Sequence, residues 1–179
     1  MGKFTTKNWD QFYPDAMEFL PPRMPEARGL GLEQNMFVDA DHAGDRVTRL
    51  SQMGILVFLN RAPIIWYSKW QNTVESSTFG SEFIAIKTGV ELVQGLRFKL
   101  HMMGIPVDGP ANIFCDNEVV VRNSTIPEST LGKKHISICY HVVREAIAAA
   151  IGRVSKEPGE TNLADILTKL VPGPRLRKM

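Results

Sequence analysis

Cysteine is nearly missing from this chain: Cys115 and Cys139 are the only two in 179 residues. That is too few for a disulfide framework, and their spacing fits no zinc site. Both read as small buried apolar residues, and any metal has to be held by oxygen. Long apolar runs are also absent. Nothing approaches the roughly 20 residues that span a bilayer, and the amino terminus lacks the apolar stretch of a secretory signal. A soluble, intracellular protein is expected, cytoplasmic or nuclear, with no membrane partner. The third shortage is of net charge, which is only +2. Residues 1–34 carry Lys3, Lys7, Arg23 and Arg28 against Asp10, Asp15, Glu18, Glu26 and Glu33, while Arg175, Arg177 and Lys178 make the last residues basic and leave 35–170 neutral. A protein holding nucleic acid by charge alone shows a clear basic excess. Recognition of a polyanion would need local basic patches or metal ions.

What is present suits one domain with a proper core: 44% of the residues are hydrophobic and 22% charged. Residues 1–34 read as a Pro-rich connecting segment, broken by Pro14, Pro21, Pro22, Pro25, Gly29 and Gly31. Trp9, Phe12, Tyr13, Phe19 and Leu20 are too apolar for a free linker, so part of it is expected to pack on the body or on a neighbouring domain. Residues 35–170 form the folded domain, and 171–179 a basic tail. Strands are expected over Asn35–Ala40, Gln52–Leu59 and Ala62–Lys69, the last two joined as a hairpin at Asn60-Arg61. A long amphipathic helix follows from near Ser76–Thr78 to Met103-Gly104, with Phe79, Phe83, Ile86, Val90, Val93 and Leu100 on its buried stripe. Then come a strand over Ala111–Cys115, a short helix over 117–123, a helix over Lys133–Ala150, a strand over Ile151–Lys156 and a terminal helix over Asn162–Leu170. In the helix over Lys133–Ala150 the solvent face is expected to hold Lys134, His141, Arg144 and Glu145. Trp66, set among Ile and Tyr, reads as core.

The first strand ends in Phe37-Val38-Asp39-Ala40-Asp41-His42-Ala43-Gly44. A strand alternates its side chains, so Asp39 and Asp41 point the same way, and two adjacent like charges need water, a cation or hydrogen bonds to compensate them. This reads either as half of a metal site or as a strand running into an Asp-rich turn. Three more acids stand at telling positions. Glu82 lies early in the long helix, Asp116 closes the fourth strand just before a helix, and Asp165 falls in the first turn of the last helix. Each alone is an ordinary helix-end or strand-end acid. Together they supply the oxygen donors that hard divalent cations take.

Several blocks, in this order, resemble the ribonuclease H domain of copia-type retrotransposon polyproteins. They are Asp39-Ala-Asp-His-Ala-Gly44, Trp66-Tyr-Ser-Lys69 with Gln71, Ser81-Glu82-Phe83-Ile-Ala85, Cys115-Asp116-Asn117, Lys134-His135-Ile136 with His141 and Arg144, and Ala164-Asp165-Ile-Leu-Thr-Lys169. The resemblance implies an α/β, ribonuclease H-like fold: a five-stranded mixed sheet flanked by helices, three antiparallel strands first and then two strands alternating with helices. It implies Asp39, Glu82, Asp116 and Asp165 as a catalytic, metal-binding tetrad for two Mg²⁺ ions, with Mn²⁺ able to substitute and Asp41 auxiliary. The implied substrate is the RNA strand of an RNA–DNA hybrid, and the implied partner is the upstream reverse transcriptase domain of the same polyprotein; the fragment itself is expected to be a monomer. Asn117, Gln71 and Ser81 are expected to reach sugar or phosphate, and Lys133, Lys134, His135 and Arg144 to form a basic grip. One departure stands out. Many cellular ribonucleases H have a histidine in the loop before the last acid, where this chain has Glu157-Pro158-Gly159-Glu160; Glu160 is the nearest substitute.

Two other readings stay open at this stage. The same fold can serve as an inactive or weakly active connection or binding module of a reverse transcriptase assembly. An integrase-like strand-transfer domain would need three acids at a different spacing.

Overall fold

The computed structural model describes residues 8–132 and 134–177. Five strands form one sheet, β1 Gln34–Asp41, β2 Gln52–Leu59, β3 Ala62–Trp70, β4 Ala111–Cys115 and β5 Gly152–Lys156, in the spatial order β3-β2-β1-β4-β5. β1 to β3 run antiparallel, and β4 and β5 continue the sheet parallel to β1. The expected mixed sheet is therefore the one observed. The β2–β3 hairpin closes with Leu59 opposite Ala62, and Asn60 takes the left-handed conformation that asparagine tolerates. A bulge beside Pro63 sits in β3, an edge strand, where a residue without an N–H costs no ladder bond.

The even-numbered residues of β1, Met36, Val38 and Ala40, enter the main core with Ile55 and Val57 of β2 and Ile113 of β4. Helix α1, Thr78–Met102, covers that face with Phe83, Ile86, Val90 and Val93. Ser77 caps it, accepting the Gly80 N–H at 3.3 Å. Helix α3, Ser137–Ala148, packs alongside, its Tyr140 ring 5.8 Å from that of Phe83. Helix α2, Glu118–Thr125, is capped by Asn117, whose Oδ1 accepts from the N–H groups of Val119 and Val120.

Four expectations change. The helix expected over Lys133–Ala150 is a 3₁₀ turn, Lys134–Ile136, followed by α3. The terminal helix is only a 3₁₀ turn, Leu163–Leu167, because Thr168 and Lys169 turn their side chains onto Asp39 and Pro172 starts a separate short helix α4, Gly173–Leu176. Trp66 is 70% exposed rather than core: it lies on the outward side of an edge strand. Cys139 is half-buried, whereas Cys115 is fully buried.

The connecting segment packs on the body. Glu18 receives two hydrogen bonds from Arg97, at 2.6 and 2.8 Å, and Phe19 stacks on Phe98 at 5.9 Å. Arg97 sits on the buried stripe of α1, between Val93 and Leu100, and is 5% exposed. Glu18 and the Gly109 carbonyl satisfy its charge, which permits an arginine there.

Candidate metal centre

Asp39 lies on the odd-numbered side of β1, opposite the α1 core, and faces the 163–167 turn. It stands directly opposite Gly54 in the β1–β2 register. A Cβ on Gly54 would come within 2.8 Å of the Ala164 carbonyl oxygen and 2.9 Å of both Leu167 Cβ and Thr168 Cγ2. Glycine at this strand position is what lets the last turn close over Asp39. Asn162 fixes that turn from its start. It is fully buried, donates to the Val38 carbonyl at 3.0 Å and accepts from the Ala164 N–H at 3.1 Å. Asp165 is thereby carried to β1.

Asp116, at the carboxyl end of β4, joins two groups of donors. Its carboxylate lies with those of Asp39 and Asp165, one oxygen of each within 4.8 Å of the others, and a second such group unites Asp116 with Glu82 and Cys115 Sγ. All four expected acids are therefore gathered at one end of the central strands. Glu82 comes from α1, on the far side of the sheet, and Asp165 from the turn on the near side. Asp41 belongs to neither group among the described residues. Cys115, named as a plain apolar residue, donates its S–H to Glu82 Oε2 at 3.3 Å, and Asn117 donates to Glu82 Oε1 at 3.4 Å.

Crowding like charges in a half-dry site raises their proton affinities. Burial, then the Asp116 charge, pushes the Glu82 carboxyl up to about 7. Burial raises Asp39 against the pull of Thr168 and Lys169, and raises Asp116 likewise against Lys169. Burial also lifts the Cys115 thiol well above its usual range, so sulfur is a donor here and not a thiolate ligand.

Two cations already lie among these carboxylates. Lys169 Nζ is 3.1 Å from Asp39 Oδ2 and 3.2 Å from Asp165 Oδ1, and Arg175 reaches Asp165 Oδ2 at 2.5 Å. Thr168 Oγ1 also donates to Asp39 Oδ2. In the sequence Lys169 stands out only within the Ala164–Lys169 block, and Arg175 belongs to the basic tail. The i, i+4 spacing of Asp165 and Lys169 was a legible signal for the first; nothing local pointed to the second.

The residues expected to hold substrate fare differently. Arg144 is 2% exposed and not on a solvent face. It donates to the carbonyls of Asn123, Ile126 and Pro127 and to Ser129 Oγ, and its guanidinium lies 4.9 Å from the Trp9 ring centre and 4.7 Å from that of Tyr140. Tyr13 completes the cage, accepting from Arg144 and bonding His141 at 2.8 Å. Arg144 fastens the connecting segment to the body and cannot reach a ligand. Gln71 and Ser81 are also internal: Gln71 Nε2 donates to the Ser81 carbonyl at 2.6 Å, and Ser81 Oγ to that of Thr78 at 2.9 Å. Lys134 and His135 are exposed, His135 bonding Glu75 at 3.0 Å. Lys133 lies outside the described residues.

No family model matches the chain. It is 32% identical over 142 residues to the retrovirus-related Pol polyprotein from transposon RE1 of Arabidopsis thaliana, covering 79% of this chain and 10% of the polyprotein. To that from transposon TNT 1-94 of Nicotiana tabacum it is 35% identical over 137 residues, 76% of this chain and again 10% of the relative. The chain thus spans about a tenth of the length of the curated relatives it matches. Among solved structures, LC11-RNase H1 in complex with RNA/DNA hybrid aligns with a TM-score of 0.59 at 16% identity, over 76% of this chain and 94% of that one. Prototype foamy virus protease-reverse transcriptase aligns at 0.55 and 16% identity, over 80% of this chain and 21% of that one. The chain belongs to the ribonuclease H-fold segment of copia-type retrotransposon Pol polyproteins.

Proposed function

We propose that this chain is the metal-dependent endoribonuclease of such a polyprotein and cuts the RNA strand of RNA–DNA hybrids during reverse transcription. The observation that carries the reading is the convergence of Asp39, Asp116 and Asp165 within 4.8 Å, with Glu82 beside Asp116. An all-oxygen anionic donor set fits hard divalent cations, and the neighbouring thiol is protonated and turned to Glu82. Asp39, Glu82, Asp116 and Asp165 would hold two Mg²⁺ ions, or Mn²⁺, whose chemistry when bound would be to lower the pKa of water and to take up charge on the leaving oxygen.

The chain's own residues do the rest. Asp39 and Asp165 converge from a rigid strand and a turn tied to it by Asn162, so their separation is fixed before anything binds. Asn117 and Cys115 orient Glu82. Of the expected grip, Lys134 and His135 remain available to hybrid phosphates, with Lys133 next to them in sequence. The exposed rings of Trp66 and Trp70 offer faces on which a base can stack. Discrimination of RNA from DNA comes from 2′-hydroxyls in a wide minor groove. The segment 1–34 serves as the connection to an upstream reverse transcriptase domain, 35–170 as the nuclease and 171–179 as a basic tail, acting as a monomer inside the cell, in cytoplasm or nucleus. Among the described residues no helix is long and apolar enough to cross a membrane.

One observation favours a second reading. With Lys169 and Arg175 lying on Asp39 and Asp165, the isolated chain can be a resting module that acts only within a larger assembly. Cleavage of an end-labelled hybrid separates the two. The first reading expects Mg²⁺-dependent cutting by this chain that stops in EDTA; the second expects none until the upstream domain is joined.

A further inference from the structure

The carboxylate cluster is crossed by a short cationic segment. Lys169 and Arg175 come from either side of Pro172, and both end on acids of the proposed metal site. The Lys169 ammonium bridges Asp39 and Asp165 at 3.1 and 3.2 Å, and the Arg175 guanidinium takes the other Asp165 oxygen at 2.5 Å. Arg175 also donates to the backbone carbonyls of Gly159 and Glu160, closing α4 onto the loop beside Asp116. The two kinds of group differ in mobility. Asp39 and Asp165 side chains are 2% and 4% exposed, whereas those of Lys169 and Arg175 are 40% and 31% exposed, on long flexible stems that can swing into water.

We propose that Lys169 and Arg175 are resident counter-ions of the metal site: they hold Asp39 and Asp165 together in the empty protein and must be displaced when a divalent ion binds. This rests on the reading that these carboxylates hold such an ion. The physical reason is that an ammonium between two carboxylates and a divalent ion bound by the same oxygens exclude one another by charge and by space. Without a counter-ion, the buried acids would repel and strain the last turn against β1, to which Asn162 still ties it. With one, the cluster is kept assembled, and the affinity for metal is reduced by the work of exchange. Lys169 and Arg175 are thus positioning residues for the site, and the segment 168–177 sets the concentration at which it fills.

The test is calorimetric titration of Mn²⁺ into the full chain and into Lys169→Met, Arg175→Ala and Asp39→Asn variants, with melting curves in EDTA alongside. Each loss of a cation should tighten the dissociation constant by about tenfold. Lys169→Met should also lower the melting temperature in EDTA and recover part of the loss once Mn²⁺ is added. Arg175 stands on α4, which buries none of its residues, so Arg175→Ala folds whatever Lys169→Met does and carries the test alone if need be. Dissociation constants within twofold of the parent in both cation variants, or weaker binding in either, would overturn the exchange while leaving the metal site standing. Binding heat that persists in Asp39→Asn, or is absent from every protein, would instead remove the metal-site reading and this inference with it.

Discussion

Replacing Glu82 by glutamine takes one charge out of the buried half of the cluster while keeping the side chain's length and one of the two oxygens that accept from Cys115 and Asn117. In the folded protein this carboxyl holds its proton up to about 7, against 4.5 for an ordinary glutamic acid, because it is buried and faces Asp116. Between those two values the folded state binds more protons than the unfolded chain. The stability linked to this group is therefore fully present below about 4.5 and is lost as the pH rises through about 7. A shift of that size corresponds to about 3 kcal/mol at most, or about 6–12 °C in melting temperature for a chain of this length. Asp39 and Asp116, also raised, add slope of the same sign. Scanning calorimetry in EDTA from about pH 5 to about pH 8 should show the parent losing stability across the range and Glu82→Gln losing distinctly less. Near pH 8 the variant should melt several degrees higher than the parent. A pH slope equal to the parent's, or a variant that melts lower at pH 8, would refute the assignment of strain to Glu82.

Three further outcomes follow from the same contacts. Asp116→Asn should abolish hybrid cleavage and hold or raise the melting temperature in metal-free buffer, since its charge is raised in energy by burial and by Asp165; cutting at the parent rate would remove Asp116 from the site. Arg144→Met should cost about 3 kcal/mol or more by stripping a buried guanidinium from carbonyl partners and three rings, yet leave the salt dependence of hybrid binding by the folded fraction unchanged, as a binding titration over salt concentration would show. Gly54→Val should cost about 1–3 kcal/mol in chemical denaturation and weaken Mn²⁺ binding, because the new side chain pushes the Ala164–Thr168 segment away from Asp39.

Where local pattern and burial agree, the chain could be read directly. β2 and β4 fall on the expected residues, since each is a compact apolar run bounded by turn residues. Asp39, Glu82, Asp116 and Asp165 could be singled out because each marks the end or first turns of an element, and chain order alone brings such ends together in an open α/β sheet. What stayed hidden depends on long-range partners. Arg144 has the spacing of a solvent-facing residue on α3, and the 123–129 segment together with Trp9 and Tyr13 from the connecting segment closes over that face. Arg97 stands on the buried stripe of α1 only because Glu18 comes to meet it. Trp66 looked like core from its neighbours, but β3 is an edge strand, and which strand lies at the edge is a property of the whole sheet. The terminal turn kept its asparagine start signal and lost its helical length to the pull of Asp39 on Thr168 and Lys169.

The most direct measurement is mass spectrometry of the products formed when the chain meets a defined RNA–DNA hybrid in Mg²⁺. If the clustered carboxylates hold ions that direct water at the phosphodiester, the RNA strand is cut into fragments without 2′,3′-cyclic phosphate ends, the DNA strand stays whole, and Asp116→Asn yields nothing. Cyclic phosphate ends would show attack by the RNA's own 2′-hydroxyl, and cleavage that survives EDTA or Asp116→Asn would place the chemistry elsewhere; either result contradicts a metal-dependent nuclease built on Asp39, Glu82, Asp116 and Asp165.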